Sequence, residues 1–328
     1  MKSLKPTPAL SKYGLNFSSF FLVSILSVTA CKTSPSENNA SENKASENKA
    51  SETLSTVQQA LLTKCGAKMT FAQYQELLKL SDISTFKDFR DAAPRSERIA
   101  EVFHEAGKDP ENGHGDRRGI FASMYVEITK ESVGSTVRGE YDNNEMAGKL
   151  VKRFAERYFE SLHNYLLGRE VIDEWKTYYK LAEDCDTSDL RILGSGVNTH
   201  MTFDLPYALA EIESADDFQN DFIEFGEILI KKKRPSTDRL MRQQNVFAAS
   251  FFDLFLLGKA IDGLTDPGKA ATMGFQLIRK EAWFNSRGLL KETRKAFASN
   301  SIRAAWMNRQ IVLRFMPKSH DKMKGTEQ

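Results

Sequence analysis

Hydrophobic positions in this chain recur at three- and four-residue steps over most of its length. Met146, Leu150, Phe154, Tyr158, Leu162 and Tyr165 form one such series. Phe218, Phe222, Phe225 and Leu229 form a second, and Ile120, Met124 and Ile128 a third. That spacing stacks side chains on one face of an α-helix. Runs that alternate every second residue, as a half-buried strand needs, are scarce. Start signals agree: Thr70 with Gln73 reads as a capping box, Ser214 precedes Asp216 and Asp217 in a first turn, and Asp266-Pro267 opens a further helix. The pattern predicts an all-α, bundle-like domain of about ten helices of ordinary length. The apolar run Val246 to Leu257 is expected to be its central core helix, being too short to span a bilayer. The basic run Lys231 to Arg234 is expected to close a helix, where the macrodipole favours cations.

The first residues break this pattern. Lys2, Lys5 and Lys12 precede an apolar stretch from Phe17 to Ser27, and no acidic residue occurs before Glu37. That stretch falls short of the roughly 20 apolar residues a spanning helix needs, and it suits the centre of a secretory signal. Val28, Thr29, Ala30 and Cys31 follow, and this tetrapeptide resembles the lipobox of bacterial lipoproteins. The resemblance implies cleavage after Ala30 and lipidation of Cys31. Each buried methylene contributes about 0.8 kcal/mol, so one acyl chain such as palmitate holds weakly and two or more hold stably. Lys32 after the cysteine, where retained lipoproteins carry aspartate, implies the outer membrane of the cell envelope. An ordinary secretory signal followed by a free cysteine is the alternative.

Residues 32–53 repeat Ser-Glu-Asn-Lys-Ala at 41–45 and 46–50, with a variant at 36–40. Such a segment buries too little apolar surface to offset its ordering entropy. It reads as a flexible tether with a reach of about 25 Å. The expected organisation is therefore a signal peptide over 1–30, a lipidated cysteine and tether over 31–53, and one helical domain over 54–328.

Composition adds exclusions. The formal net charge is +2, and loss of the three leader lysines brings it close to neutral. Nothing there points to nucleic acid as a partner. The expected partners are a membrane, through the anchor, and a small-molecule or lipid-derived ligand. Cys65 and Cys185 read as unpaired core residues, although an oxidising compartment would let them join.

Known catalytic signatures are absent from the sequence: no glycine-rich phosphate loop, no G-x-S-x-G elbow, no His-Glu-x-x-His and no Cys-x-x-Cys. Among the histidines, His320 lies in a polar tail and His163 is expected on the surface, opposite Phe154. His104 sits near a helix end, and His114 in a loop leading to a helix capped by Asp116. His200 is different. It lies in the segment from Gly194 to Pro206 with Asn198 and Asp204. If that segment is helical, His200 and Asp204 share a face and Pro206 forces a kink. If Asp204 instead caps a new helix, His200 lies in the turn before it. Asn198, His200 and Asp204 are the candidate catalytic residues, with His200 as general base or ligand oriented by Asp204. A satisfied core pair is the structural alternative.

Asp253, inside the apolar run, is costly to bury alone. It is expected either to pair with Arg242 or Arg279 or to join His200, Asp204 and Glu127 in a site. Such a set would suit zinc, manganese or iron. A single well-placed histidine and the lack of paired Glu-x-x-His motifs argue against a metal, and no cofactor is identified.

Gly196-x-Asn198-x-His200-x-x-x-Asp204-Leu205-Pro206 resembles the signature of a bacterial family of unknown function, number 5995. Met124 to Thr129 is similar to that family's Tyr-x-x-Val-Thr helix, and Arg279 to Trp283 to its Arg-x-x-Ala-Trp segment. The resemblance implies a helical fold over 117–290 and no established activity. Two readings stay open: an envelope enzyme acting on a small or lipid-derived substrate, or a non-catalytic binding or assembly lipoprotein with a structural polar cluster.

Overall fold

The computed structural model describes residues 61–65, 67–107, 114–248 and 269–316. The leader, Cys31, the tether, Asp253, Asp266-Pro267 and His320 lie outside the described residues, as does the apolar run beyond Ala248.

The architecture is all-α. A two-residue ladder, β1 (Thr63–Lys64) against β2 (Ala67–Lys68), precedes the helices. Eleven α-helices follow among the described residues. They are α1 (Phe71–Ser81), α2 (Ala92–Ala106), α3 (Ile120–Val137), α4 (Asn144–Leu166), α5 (Asp173–Glu183) and α6 (Asp189–Asn198). Then come α7 (Leu205–Glu211), α8 (Gln219–Ile230), α9 (Lys233–Gln244), α10 (Lys269–Leu289) and α11 (Glu292–Leu313). Polar residues set several starts. Thr70 and Gln73 form the expected capping box on α1, and Asn143 and Ser188 cap α4 and α6. Asp116 caps a 3₁₀ turn that runs into α3. Ser214 does not cap a helix: its hydroxyl donates to the Leu209 carbonyl and receives Arg287, and Ala215 begins the turn before α8.

The helix at the centre is α3. It packs against α2, α4, α6, α8 and α9, and Ile120 through Val126 are all buried. Its first two turns are enclosed on all sides and read as apolar all round, whereas Glu127, Lys130 and Glu131 form a charged stripe on its later turns. The apolar run starting at Val246 does not begin as a helix. Helix α9 ends at Gln244, Asn245 turns left-handed with φ of 51°, and Val246 to Ala248 are non-helical. The basic run closes a helix only in part: Lys231 caps α8, but Lys233 and Arg234 already belong to the first turn of α9, and Lys232 pairs with Glu131 at 2.9 Å.

Two cross-links tie the N-terminal ladder to the bundle. Arg118 is buried against Asp116 and donates to the Leu61 carbonyl at 2.5 Å. Cys65 and Cys185 are joined in a disulfide with Cα atoms 5.1 Å apart. This corrects the reading of two unpaired core cysteines. Docking of the ladder beside the α5–α6 loop, helped by the Lys64–Glu183 pair at 3.3 Å, brings together residues far apart in the chain. His163 is likewise not a surface residue: it is half-buried, with Nδ1 3.2 Å from the Ser81 hydroxyl and 3.1 Å from the Leu78 carbonyl at the end of α1.

Candidate functional site

Helices α6 and α7 form one continuous path joined by a π-helical turn, Thr199–Asp204. Its cause lies in the sequence. Pro206 has no N–H to donate, and its ring would crowd the carbonyl one turn back. The widened turn gives that ring room, and the Leu205 N–H bonds to the His200 carbonyl five residues back. The expected distortion at Pro206 thus takes the form of a π turn. Close packing holds this segment in place. A Cβ on Gly196 would stand 2.8 Å from the Phe121 Cβ, so only glycine lets α6 lie this near α3.

The turn buries His200 and Asp204 side by side. His200 Nδ1 is 3.0 Å from Asp204 Oδ2. The same carboxylate oxygen accepts the Trp175 indole N–H at 3.0 Å, and Oδ1 receives Arg157 Nε at 3.4 Å. Arg157 is itself held by Glu211 at 2.7 Å. The carboxylate therefore draws donors from three elements: the π turn, α5 and α4. On its far side Asp204 borders a small polar cavity with Arg157, Ser161, Asn164 and Glu170.

The His200 ring is enclosed by aromatic residues. Phe154 stacks on it with centroids 3.6 Å apart and planes 12° from parallel, and Tyr125 and Phe121 meet it edge-on at 4.7 and 5.3 Å. Burial holds the imidazole pKa below the ordinary histidine value, against the opposing pull of Asp204. A neutral ring whose Nδ1–H donates to a carboxylate carries its lone pair on Nε2. That Nε2 is buried and has no hydrogen-bond partner.

His200 lines an apolar slot between α3, α4, the π turn, α8 and α10, with Tyr125, Leu150, Phe154, Leu229 and Arg279 among its walls. The slot is narrow, with a cavity volume of about 50 Å³. Asp204 is not among its lining residues, and the His200 ring stands between that carboxylate and the slot. The hydroxyls of Thr129 and Ser132, also in the wall, donate back to the Tyr125 and Ile128 carbonyls of their own helix.

Asn198 belongs to a different arrangement. Its amide donates to the Trp306 carbonyl at 3.0 Å, and its oxygen accepts from Thr202 at 2.9 Å. Thr202 in turn receives Arg309 at 3.0 Å, and Trp306 donates to Thr199 at 3.0 Å. These bonds fasten the turn to α11. Residues two apart on a helix point away from each other, so the sequence trio divides into a His200–Asp204 pair and an Asn198 tether.

Glu127 does not join His200; it is held by Arg239 at 2.7 Å. Among the described residues no three His, Cys, Asp or Glu side chains are grouped as a metal site would need. Trp175, Arg157, Phe154, Tyr125 and Arg279 complete the site. Phe154 falls on the apolar stripe of α4, and Tyr125 and Arg279 lie in the two flanking segments that resemble the family, but nothing in the sequence signals Trp175 or Arg157.

A family model described as "Family of unknown function (DUF5995)" matches residues 98–313. That span holds the π turn, the His200–Asp204 pair and every wall of the slot. Comparison with curated proteins and comparison with solved structures each gave no match.

Proposed function

We propose, for a chain that belongs to the DUF5995 family of unknown function, that its helical domain binds a small, largely apolar molecule in the slot beneath His200. In this reading His200 accepts a proton or hydrogen bond at Nε2, and Asp204 fixes the ring. One observation carries it: a buried, unpartnered Nε2 on a ring that lines an apolar slot, with Nδ1 engaged by a carboxylate. Buried polar atoms are nearly always paired, and one left open at a cavity is ready to meet a ligand. Desolvation keeps the ring neutral near pH 7, the form a general base needs.

Extraction tests this. Protein purified without detergent is extracted with organic solvent and the extract is analysed by mass spectrometry, beside a Leu150→Trp variant that fills the slot. The reading predicts a compound near one per chain that the variant lacks. Identical extracts from both folded proteins contradict it.

A binding role without catalysis draws on a separate observation. Thr129 and Ser132 spend their hydroxyl protons on their own helix, so neither is activated as a nucleophile by His200.

For location, the reading is a lipoprotein of the cell envelope, anchored through Cys31 to the outer membrane, with residues 31–53 as tether. It is supported by the order of charge, apolar core, small residues and cysteine at 1–31, and by a disulfide suited to an oxidising compartment. Cys31→Ala is expected to move the protein from the membrane to the soluble fraction. Equal membrane association of both forms contradicts the anchor.

A further inference from the structure

The slot holds a second polar group with an incomplete set of partners. Arg279, on α10, is only 2 % exposed. Its guanidinium lies 4.0 Å over the Phe222 ring, with Phe275 and Phe225 at 5.7 and 5.8 Å. Among the described residues its one hydrogen bond runs from Nη2 to the Phe222 carbonyl, and Nε is buried without an acceptor. Four other inward-facing arginines have carboxylates: Arg118 has Asp116, Arg117 has Asp189, Arg157 has Asp204 and Glu211, and Arg239 has Glu97 and Glu127. Among the described residues Arg279 has none.

A buried cation with no anion is costly, so its retention calls for a role. Burial pulls its pKa down to about 9, which still leaves it charged at neutral pH. The fold makes room for it at Gly226, where a Cβ would collide with Arg279 Nε. Both Arg279 and His200 line the slot, and otherwise its walls are chiefly apolar.

We propose that Arg279 receives the anionic head of the slot's ligand, and that this ligand is a single-chain amphiphile ending in a carboxylate. The inference rests on the slot being a ligand site. A deprotonated carboxylate has no proton to give to His200 Nε2, so the head goes to the guanidinium, the chain to the apolar walls, and Nε2 is left for a hydroxyl carried on the chain. One carboxylate balances one guanidinium, whereas a phosphate monoester near −2 would leave excess charge in a dry site.

The test is calorimetric titration of the full chain carrying Cys31→Ser with dodecanoate, dodecyl phosphate and dodecanol. Dodecanoate is expected to bind about tenfold or more tightly than the other two, the scale of a charged hydrogen bond. Arg279→Gln is expected to abolish that preference while leaving dodecanol affinity within about threefold. Should Arg279→Gln not fold, the wild-type comparison decides by itself, and Arg279→Lys, which keeps the charge, is expected to keep a reduced preference. Equal binding of dodecanoate and dodecanol overturns the role of Arg279 and leaves the slot as a ligand site. Tighter binding of dodecyl phosphate than dodecanoate overturns the carboxylate assignment. Failure of all three ligands to bind overturns both proposals. Asp253→Asn is expected to leave the preference unchanged. A sharp gain in dodecanoate affinity there would assign Asp253 as the partner of Arg279 and contradict the proposal.

Discussion

Trp175 donates its indole N–H to Asp204 at 3.0 Å, on the same oxygen that holds His200 Nδ1. The carboxylate therefore does more structural work than the imidazole it orients. Asp204→Leu would strand Trp175 Nε1 and His200 Nδ1 in the core and take from Arg157 one of its two carboxylates, and is expected to cost about 3–5 kcal/mol. His200→Phe removes an already unpartnered Nε2 and keeps a ring against Phe154 and Tyr125. It is expected to stay within about 1 kcal/mol of wild type. Urea midpoints of the two variants check this. Equal large losses would make His200 a structural residue.

The pH dependence of stability follows from the same ring. Burial lowers the His200 pKa in the folded state, so the unfolded chain takes up a proton first as pH falls. Stability contributed by the neutral ring is complete above the unfolded value of about 6.5 and declines below it, by up to ~1.4 kcal/mol per pH unit until the folded group also titrates. His200→Phe is expected to flatten this part of the acid limb. Denaturant titrations between pH 7 and 5 measure it, and an unchanged slope in the variant rules His200 out as its source.

The disulfide closes a loop 120 residues in sequence separation. Cys185→Ser is expected to cost about 2–5 kcal/mol. Reductant should lower the wild-type melting temperature to that of the variant and leave the variant unchanged. A further drop in the variant would contradict the pairing.

Two glycines of the family-matched region should respond with opposite sign. Gly196→Ala forces α6 and α3 apart and is expected to cost about 1–3 kcal/mol. At Gly134, inside α3, an added methyl meets only the flexible end of Arg138, so alanine is expected to gain up to about 1 kcal/mol in helix propensity. Melting temperatures of the two variants decide.

The helices were readable in the sequence because their apolar stripes are long and regular, as in α4 from Met146 to Tyr165. His200 and Asp204 were readable as a pair because a four-residue step keeps them on one face. Proximity in sequence groups Asn198 with them, yet a two-residue step sends its side chain to Trp306. Trp175, Arg157 and Arg279 come from α5, α4 and α10, and no local pattern connects residues so distant. The Cys65–Cys185 link was hidden for the same reason. The π turn depends on Pro206, which announces a distortion without specifying its form.

The central claim is that a neutral His200, protonated on Nδ1, presents Nε2 to a ligand slot. Nitrogen-15 NMR of the histidine rings at pH 7 tests it most directly, with His200→Phe to assign the resonance. The expected result is a protonated Nδ1, an Nε2 at the unprotonated chemical shift, and movement of that Nε2 signal when dodecanol fills the slot. A protonated Nε2, or an Nε2 signal that stays fixed while dodecanol binds, would contradict it.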